Sequence, residues 1–392
     1  MGESWSRREF LGGMAAAGAA AFLGGCTPPP APTGAAPAAP AASVAKPDGW
    51  DDLVAAARRE GVVRLYGPTG GPDVQEVLTK TFENTYPGIT VEALFLPQAQ
   101  ETAQVIAERT AGRYLVDVFV GGTTGMVVTL KQAGAMAPLR PALLLPEIVD
   151  ERNWFEGKFW YADSAEPYTT LMFLGVVQPL VINTRLVEPG QFTSWWDLLD
   201  PKWKGKMVAT DIRNTGPGGV LSRFAYKAPD LGPTFLDRLF SETALTLSND
   251  QRQIMDWLAE GRFSIALFVS SIEPMVAAKQ GLPVTAVPAG LFKEGSVIGP
   301  ENGALGLADS APHPNAAKLF INWLLSRDGQ AAWQKAVGHP SLRTDVGRDG
   351  VYLPYVPQPG GRYVNGGTEE YSLVTTQLMT ELIGNALAKA ES

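Results

Sequence analysis

Hydrophobic and polar positions follow two alternating periods along most of the chain after residue 61. Short apolar, β-branched runs such as 62–66 and 115–120 end in glycine-rich stretches. The segments after them repeat apolar residues every three to four positions, as at Val74, Val77 and Leu78. Strands alternating with helices of this length predict βαβ units and a parallel sheet.

A second α/β region is predicted from residue 176 onward. Across both regions, the further predicted strands are 89–96, 176–183, 206–210, 263–269 and 304–308, and the further predicted helices are 98–112, 195–199, 218–227, 233–240, 251–260, 273–280, 314–326, 329–337 and 371–390. The glycine-rich stretch 358–367 is predicted to be irregular. The pattern contains no internal repeat.

Composition excludes several classes of function. Hydrophobic residues make up 45% of the 392 residues and charged residues 18%, which is enough apolar material for a large core. The net charge of −8 argues against nucleic-acid binding, which needs clustered lysine and arginine. One cysteine excludes an intrachain disulfide. Two histidines, each beside a proline, make a His/Cys metal centre improbable, so we expect no metal and no cofactor.

The first 47 residues have the features of an export signal and a tether. Residues 6–11 read SRREFL, a twin-arginine pattern, and the apolar run 11–25 is too short for a permanent membrane span. The run ends in LGGC, where Cys26 is the expected lipidation site. We therefore predict a Tat-type lipoprotein signal peptide (1–26), a Pro/Ala-rich tether (27–47), and a membrane-anchored protein outside the cytoplasm.

Several sequence segments resemble one family of transport proteins. The most specific segments are DPKWKGK at 200–206 and HPNAA at 313–317, which leads into WLLS at 323–326. The segments 116–119, 181–184 and 258–261 support them. In this order, over residues 61–390, they resemble the extracellular solute-binding proteins of the ferric-ion, phosphosugar and polyamine type.

The resemblance implies an α/β protein with the two-lobed periplasmic-binding-protein fold, an interlobe cleft and hinge strands. Residues 48–175 plus 303–350 would form one lobe, and 176–302 plus 351–392 the other. The lobes would close around a ligand by hinge motion. The implied partners are a small-molecule ligand and the membrane permease of an ABC importer, and the protein would be a monomer.

In such a fold, the loops at the carboxyl ends of the strands face the cleft. Free backbone N–H groups where helices begin suit an anionic group, and Arg213 adds a cationic fork. These loops can equally be helix caps, and Arg213 a surface charge. The candidate ligand-binding residues are Tyr66, Thr69, Gly70, Gly71, Thr123, Thr124, Tyr168, Arg213, Asn214, Thr215, Ser270 and Ser271.

The leading functional hypothesis is therefore a receptor for a small organic anion: a phosphate ester, a phosphonate or a carboxylate. A polyamine-like cation is the alternative, because aromatic rings and carboxylates can enclose an amine. That alternative would use Tyr66, Tyr161, Asp163, Tyr168, Asp211 and Glu273. A ligand sensor for a membrane receptor would use the same cleft. An enzyme is disfavoured, since the chain has no Gly-x-Ser-x-Gly elbow, no His-Glu-x-x-His and no P-loop.

A first prediction concerns iron. The resemblance implies that ferric-binding members place metal ligands at positions matching Gly70, Gly122, Ser271 and Ile272, where this chain offers only one neutral hydroxyl. Fe³⁺ requires anionic oxygen ligands, so titration with ferric ion should give no charge-transfer absorption band. A tight, coloured 1:1 complex would contradict this expectation.

Overall fold

The computed structural model describes residues 46–214, 218–374 and 376–391. The predicted signal peptide with Cys26, the tether up to residue 45, and Thr215 lie outside these residues. In the described part of the chain, no helix combines the length and the hydropathy that crossing a membrane requires.

The described residues form an α/β structure. The strands are β1 (Val62–Pro68), β2 (Thr90–Leu96), β3 (Val118–Gly121), β4 (Met136–Ala137), β5 (Trp160–Tyr161), β6 (Thr170–Met172), β7 (Val176–Val177), β8 (Leu180–Asn183), β9 (Met207–Thr210), β10 (Thr246–Ser248), β11 (Ile265–Leu267), β12 (Val284–Val287), β13 (Ser296–Gly299), β14 (Ala304–Ala308) and β15 (Tyr363–Asn365). The α-helices are α1 (Trp50–Glu60), α2 (Pro72–Glu76), α3 (Phe82–Thr85), α4 (Gln98–Thr110), α5 (Pro146–Val149), α6 (Gly219–Lys227), α7 (Gly232–Glu242), α8 (Gln251–Ala259), α9 (Ile272–Lys279), α10 (Pro314–Leu325), α11 (Arg327–Val337), α12 (Glu369–Ser372) and α13 (Thr376–Glu391). Two π-helical segments, Val77–Thr81 and Gly125–Leu130, follow α2 and the β3 loop, and Trp195–Leu199 is a 3₁₀ helix.

The first large sheet has the order β2-β1-β3-β14-β6-β5, with β4 paired to β14. Strands β2, β1 and β3 are parallel, as their sequence pattern predicts, whereas β14 is antiparallel to both β3 and β6. The predicted parallel sheet therefore holds for β2, β1 and β3, and the complete sheet is mixed because β14 runs antiparallel to β3, β4 and β6. The reason is topological: β14 returns to this sheet from the second sheet at the edge where β3 ends, so it must run in the opposite direction.

The second large sheet has the order β10-β9-β11-β8-β12. Strands β10, β9 and β11 are parallel, and β8 is antiparallel to its neighbours β11 and β12. We call the elements around the seven-stranded sheet the first lobe and those around this five-stranded sheet the second lobe.

A third, three-stranded sheet connects the lobes. Strand β13 pairs with β7 on one side and with β15 on the other. Strand β15 lies inside the stretch 358–367 that the sequence pattern predicts to be irregular. It was missed because it is short and flanked by glycines, and because its partner β13 is more than 60 positions away along the chain.

Each lobe buries its own apolar cluster. In the first lobe, Phe82 packs edge-on against Phe320 and Trp323 of α10, whose centroids lie 5.0 and 5.3 Å away. In the second lobe, α13 packs on α7, burying Ile383 with Leu236. The sharp turn from α10 to α11 is stabilised locally, because the Ser326 hydroxyl accepts the Gly329 N–H at 3.1 Å. The two clusters give each sheet a separate core.

Two consecutive glycines after β15 lie in the seam between the lobes. A methyl group on Gly366 would lie 2.4 Å from Cγ2 of Val297, which belongs to the connecting sheet. It would lie 2.6 Å from Cγ1 of Val220, which belongs to α6 of the second lobe. A methyl group on Gly367 would lie 3.1 Å from the Thr123 hydroxyl of the first lobe. The backbone at 366–367 therefore fills a gap that has no room for side chains.

A second prediction follows from this seam. Substituting Gly366→Ala should destabilise the protein by about 1–3 kcal/mol, because the stiff valine side chains cannot move away without repacking. Urea unfolding measures the change. The control is Gly347→Ala, where no atom of the described residues, apart from the glycine and its two chain neighbours, lies within 4 Å of the added methyl group. It should change the free energy of unfolding by less than about 0.5 kcal/mol. Equal effects at both positions would refute the steric account.

Candidate functional site

The chain passes between the lobes at one edge of each large sheet. Strand β6 ends at Met172 in the first lobe and β8 begins at Leu180 in the second. On the return, Ala304 at the start of β14 pairs with Gly121 at the end of β3. In the second sheet, Leu180 pairs with Val287 at the end of β12, next to the end of β11. The crossings therefore attach at the edges where β1, β3, β9 and β11 end.

The loops that follow these four strands consequently border one gap. We call this gap the interlobe cleft and define it by the loops 69–71 and 121–124 of the first lobe and 211–214 and 268–271 of the second. Open α/β sheets bind ligands at such strand ends. The candidate residues of the sequence analysis within the described chain fall mainly on these loops, with Tyr66 and Tyr168 as exceptions.

In the first lobe, strands β1 and β3 are neighbours, so their loops are adjacent. Thr69 and Gly71 are exposed, whereas a side chain at Gly70 would collide with Val74 at 2.6 Å. Thr123 is buried against Gly367, and the Thr124 hydroxyl lies 3.1 Å from the Ser372 hydroxyl. The C-terminal segment thus already contacts this part of the cleft.

Tyr66 lies within strand β1, before the loop 69–71 begins. Its ring is buried in an apolar cluster with Val105 and Phe119, and its hydroxyl donates a 2.7 Å hydrogen bond to Glu108. Burial raises the pKa of the Tyr66 phenol, and the bond to Glu108 raises it further. This tyrosine is anchored to α4, with its hydroxyl already engaged.

In the second lobe, Arg213 is held by a carboxylate of its own loop. Its Nε and Nη2 donate to Asp211 at 2.8 and 2.6 Å, a bidentate pair that lowers the pKa of Asp211. The neighbouring Asn214 is exposed. The charge of Arg213 is therefore largely neutralised within the loop, which the sequence alone did not indicate.

The loop after β11 is ordered by side-chain bonds from other elements. The Gln251 carboxamide accepts the Ser270 N–H at 2.9 Å and donates to the Thr210 hydroxyl, tying the ends of β9 and β11 together. Tyr355 donates to the carbonyl of Ser271 at 2.6 Å. The Ser271 hydroxyl is buried and has no partner among the described residues. It is a polar group without an internal hydrogen bond beside the cleft.

The aromatic candidates occupy a separate cavity of about 450 Å³ in the first lobe. Tyr161 and Tyr168 stack at 4.6 Å. The Asp163 carboxylate between them in sequence is already bound by Lys131 at 2.7 Å and by the N–H groups of Thr169 and Thr170. Three of the residues proposed for amine binding, Tyr161, Asp163 and Tyr168, therefore line one cavity. The Asp163 carboxylate, however, already has hydrogen-bond and ion-pair partners within the protein.

Arg223 on α6 was not among the residues predicted from the sequence. Its guanidinium folds back over the first turn of the helix, with Nη1 3.2 Å from where a methyl group on Gly219 would lie. Nε is buried, and no acceptor or carboxylate among the described residues binds the guanidinium. Burial lowers the pKa of Arg223. Val220, on the same helix face, contacts Gly366, so Arg223 lies on the side of α6 that faces the lobe seam.

Glu101 on α4 was likewise not predicted from the sequence as a functional residue. Glu101 as a whole residue is 3% exposed, and burial raises the pKa of its carboxyl group to about 8. A signal was available in the sequence: Glu101, Val105 and Glu108 are spaced i, i+4 and i+7, so two carboxylates share the apolar face of a helix. For Arg223 the sequence offers one weak indication: it follows Gly219 by four residues in the predicted helix 218–227, which places both on one helix face.

Within the described ranges, no group of three or more His, Cys, Asp or Glu side chains is arranged to hold a metal ion.

Comparison with known proteins gives a consistent family. The family model described as "Bacterial extracellular solute-binding protein" matches residues 63–336. Curated spermidine/putrescine-binding periplasmic proteins of Escherichia coli and Shigella flexneri are 24% identical over 164 residues, which is 41% of this chain and 45% of theirs. The match thus spans less than half the length of these relatives.

Solved structures show the same fold at low sequence identity. The periplasmic binding protein AfuA from Actinobacillus pleuropneumoniae, with fructose-6-phosphate bound, has a TM-score of 0.58 and 19% identity, covering 85% of this chain and 99% of that one. A Bordetella ferric binding protein has a TM-score of 0.63 and 19% identity, covering 83% and 98%. The α/β, two-lobed periplasmic-binding-protein fold expected from the sequence is confirmed.

A third prediction tests the buried carboxyl through stability. The pKa of Glu101 is about 8 when folded and near 4.5 when unfolded, so the native state binds an extra proton between these values. The stability contribution is present at low pH and is lost as pH rises, by about 1.4 kcal/mol per pH unit across this window. Glu101→Gln should remove that loss.

The measurement is urea unfolding of both proteins from pH 5 to pH 9. Relative to the unsubstituted protein, Glu101→Gln should gain stability up to pH 8 and then level off. Glu92→Gln, at a half-exposed carboxylate paired with Arg64, is the control and should give a nearly constant difference. Parallel pH profiles for the Glu101 variant would show that this carboxyl is not held neutral.

Proposed function

The chain belongs to the family of bacterial extracellular solute-binding proteins, and we propose that it is the receptor of an ABC importer that captures a small organic anion in the interlobe cleft. Phosphate esters, phosphonates and carboxylates are the chemical classes concerned. The family is extracytoplasmic and consists of binding proteins that are not enzymes. The fold supports the proposal, because two lobes joined by a small sheet allow hinge closure on a ligand.

The observation that carries the anionic class is the guanidinium of Arg223, which has no hydrogen-bond or ion-pair partner within the described part of the chain. A partly desolvated cation without a carboxylate partner is unfavourable, and an anion bound beside it relieves this cost. The guanidinium lies over the first turn of α6, whose free N–H groups and dipole also favour negative charge. Ser271, with its unpaired hydroxyl, adds a hydrogen-bond donor in the same lobe.

The amine-binding alternative has less support from these contacts. Of the six side chains that it would use, Tyr66 is bonded to Glu108, Asp163 to Lys131, and Asp211 to Arg213. The Tyr161 hydroxyl and Glu273 Oε2 are buried without a hydrogen-bond partner among the described residues, so two of its three carboxylates are already paired and one is not. Carboxylates that are already paired give little additional attraction to a cationic ligand. Because part of the chain is similar to polyamine-binding proteins, amine binding is the alternative against which anion binding is tested.

Export and anchoring belong to the same proposal. We infer that the twin-arginine pattern directs export and that Cys26 carries the lipid that holds the protein at a membrane. Labelling of cells with a radioactive fatty acid tests this, since Cys26→Ser should abolish incorporation. A role as a ligand sensor would use the same cleft, and loss of uptake after deletion of the neighbouring permease would favour transport.

A fourth prediction tests the ligand class. In a thermal-shift screen, organic phosphates, phosphonates and carboxylates should raise the melting temperature, whereas putrescine and spermidine should not. Arg223→Gln should weaken binding of the active anion at least tenfold, because it removes the unpaired charge. Arg213→Gln, the matched control, should have a smaller effect, since Asp211 already neutralises Arg213.

The opposite pattern would decide against this proposal. If amines raise the melting temperature and anions do not, the cation-binding alternative replaces it. If anions bind but Arg213→Gln is the more damaging substitution, the site is correct and Arg223 is not its anchor.

A further inference from the structure

The carboxyl group of Glu101 has no partner among the residues with a described structure. The side chain is 3% exposed, yet no hydrogen bond or ion pair reaches its carboxylate from any described residue. Its neighbour on the same helix face, Glu108, is satisfied by the Tyr66 hydroxyl and by Gln104. Buried carboxyls in native proteins are normally paired, so an unpaired one requires an explanation.

Two contacts locate Glu101 at the strand-end edge of the first lobe. The Gln98 side chain donates to the Gly122 carbonyl at 2.6 Å, and Glu108 accepts the Tyr66 hydroxyl at 2.7 Å. Glu101 follows Gln98 by three residues and precedes Glu108 by seven, so all three share one helix face. Glu101 therefore lies on the buried face of α4, one turn from Gln98, whose side chain contacts the loop 121–124 at the border of the interlobe cleft.

The elements packed around Glu101 bring no cation to it. On β1, Arg64 pairs with Glu92, and Tyr66 is bonded to Glu108. The π-helical segment Gly125–Leu130 contains no ionisable residue, and the following Lys131 is bound to Asp163. On α4 itself, Arg109 pairs with Asp309.

We infer that Glu101 binds a protonated amine of the ligand, so that the transported solute is an organic anion that also carries an ammonium group. This inference rests on the proposed function. It assigns the anionic end to Arg223 in the second lobe and the cationic end to Glu101 in the first. A ligand with both charges would cross the cleft and be held by both lobes, which couples its binding to closure.

Charge balance favours this class over a plain anion. A negative group bound near an ionised Glu101 would be repelled, so a plain anion is tolerated only while the carboxyl stays protonated. An ammonium group supplies the missing counter-charge at a site that water barely reaches, where a paired carboxylate and ammonium attract each other strongly. Binding of the amine should therefore ionise Glu101 and release its proton.

The experiment is isothermal titration calorimetry with matched probes: 2-aminoethylphosphonate against ethylphosphonate, and β-alanine against propionate. The unsubstituted protein should bind the amino compound of the active pair at least tenfold more tightly. At pH 7, titration in two buffers of different ionisation enthalpy should show release of nearly one proton. Affinity should rise about tenfold per pH unit below pH 8 and then become constant.

Two variants separate the possible outcomes. Glu101→Gln should abolish both the amine preference and the proton release while the plain anion still binds. Glu108→Gln, a carboxyl on the same helix face that is bonded to Tyr66, should leave the preference intact. If the unsubstituted protein binds both members of a pair equally, or if Glu101→Gln keeps the preference, the inference is wrong although anion binding stands. If neither pair binds, the anion-receptor proposal fails with it.

Discussion

The short sheet of β7, β13 and β15 is the constraint on which the rest of the structure depends. Its backbone hydrogen bonds join strands that leave one lobe to strands that leave the other. Because the crossings attach where β3 and β6 end, the loops after the parallel strands of both sheets border one gap. A crossing at the opposite edges would have left those loops on unrelated surfaces. The location of the cleft is thus a consequence of connectivity, before any particular side chain is considered.

Within that cleft, the useful charges are those that the fold leaves unpaired. Most ionisable groups near the gap are satisfied locally: Asp211 with Arg213, Lys131 with Asp163, and Glu108 with Tyr66. Such pairs fix loop geometry and offer little to a ligand. Arg223 and Glu101 differ because each is largely buried and has no hydrogen-bond or ion-pair partner among the residues that the structure describes. Unpaired buried charge is a free-energy cost in the empty protein that a complementary solute can relieve.

Much of this organisation was predictable from the sequence, for identifiable reasons. The alternation of periods in 62–120 and the helical pattern of 314–337 reflect local burial, and the strands and helices there form as predicted. Strand direction in β14 and the pairing of β15 depend on residues far away along the chain, which a local pattern does not encode. The fold and the cleft loops followed from the family resemblance.

The residues that we propose to bind the ligand were harder to predict. Arg213 stood out because it lies in a glycine-rich loop, but only the three-dimensional structure shows its bidentate bond to Asp211. Arg223 and Glu101 lie inside helices, where an isolated charge gives no sequence signal of its own. The spacing of Glu101 and Glu108 was a readable exception. Residue type and loop position thus indicated the region of the proposed site. Which charged groups are free to bind a solute depends on the hydrogen bonds and ion pairs that they make, and these are seen only in the three-dimensional structure.

The paired glycines at 366 and 367 set the spacing between the lobes by main chain alone. A backbone has no rotamers to select, so the thickness of this seam does not vary with the side chains that line the cleft. Substitutions that alter solute preference can therefore accumulate around the cleft while the outline of the ligand-bound receptor is preserved. A transporter that recognises that outline would accept a changed cargo without changes of its own.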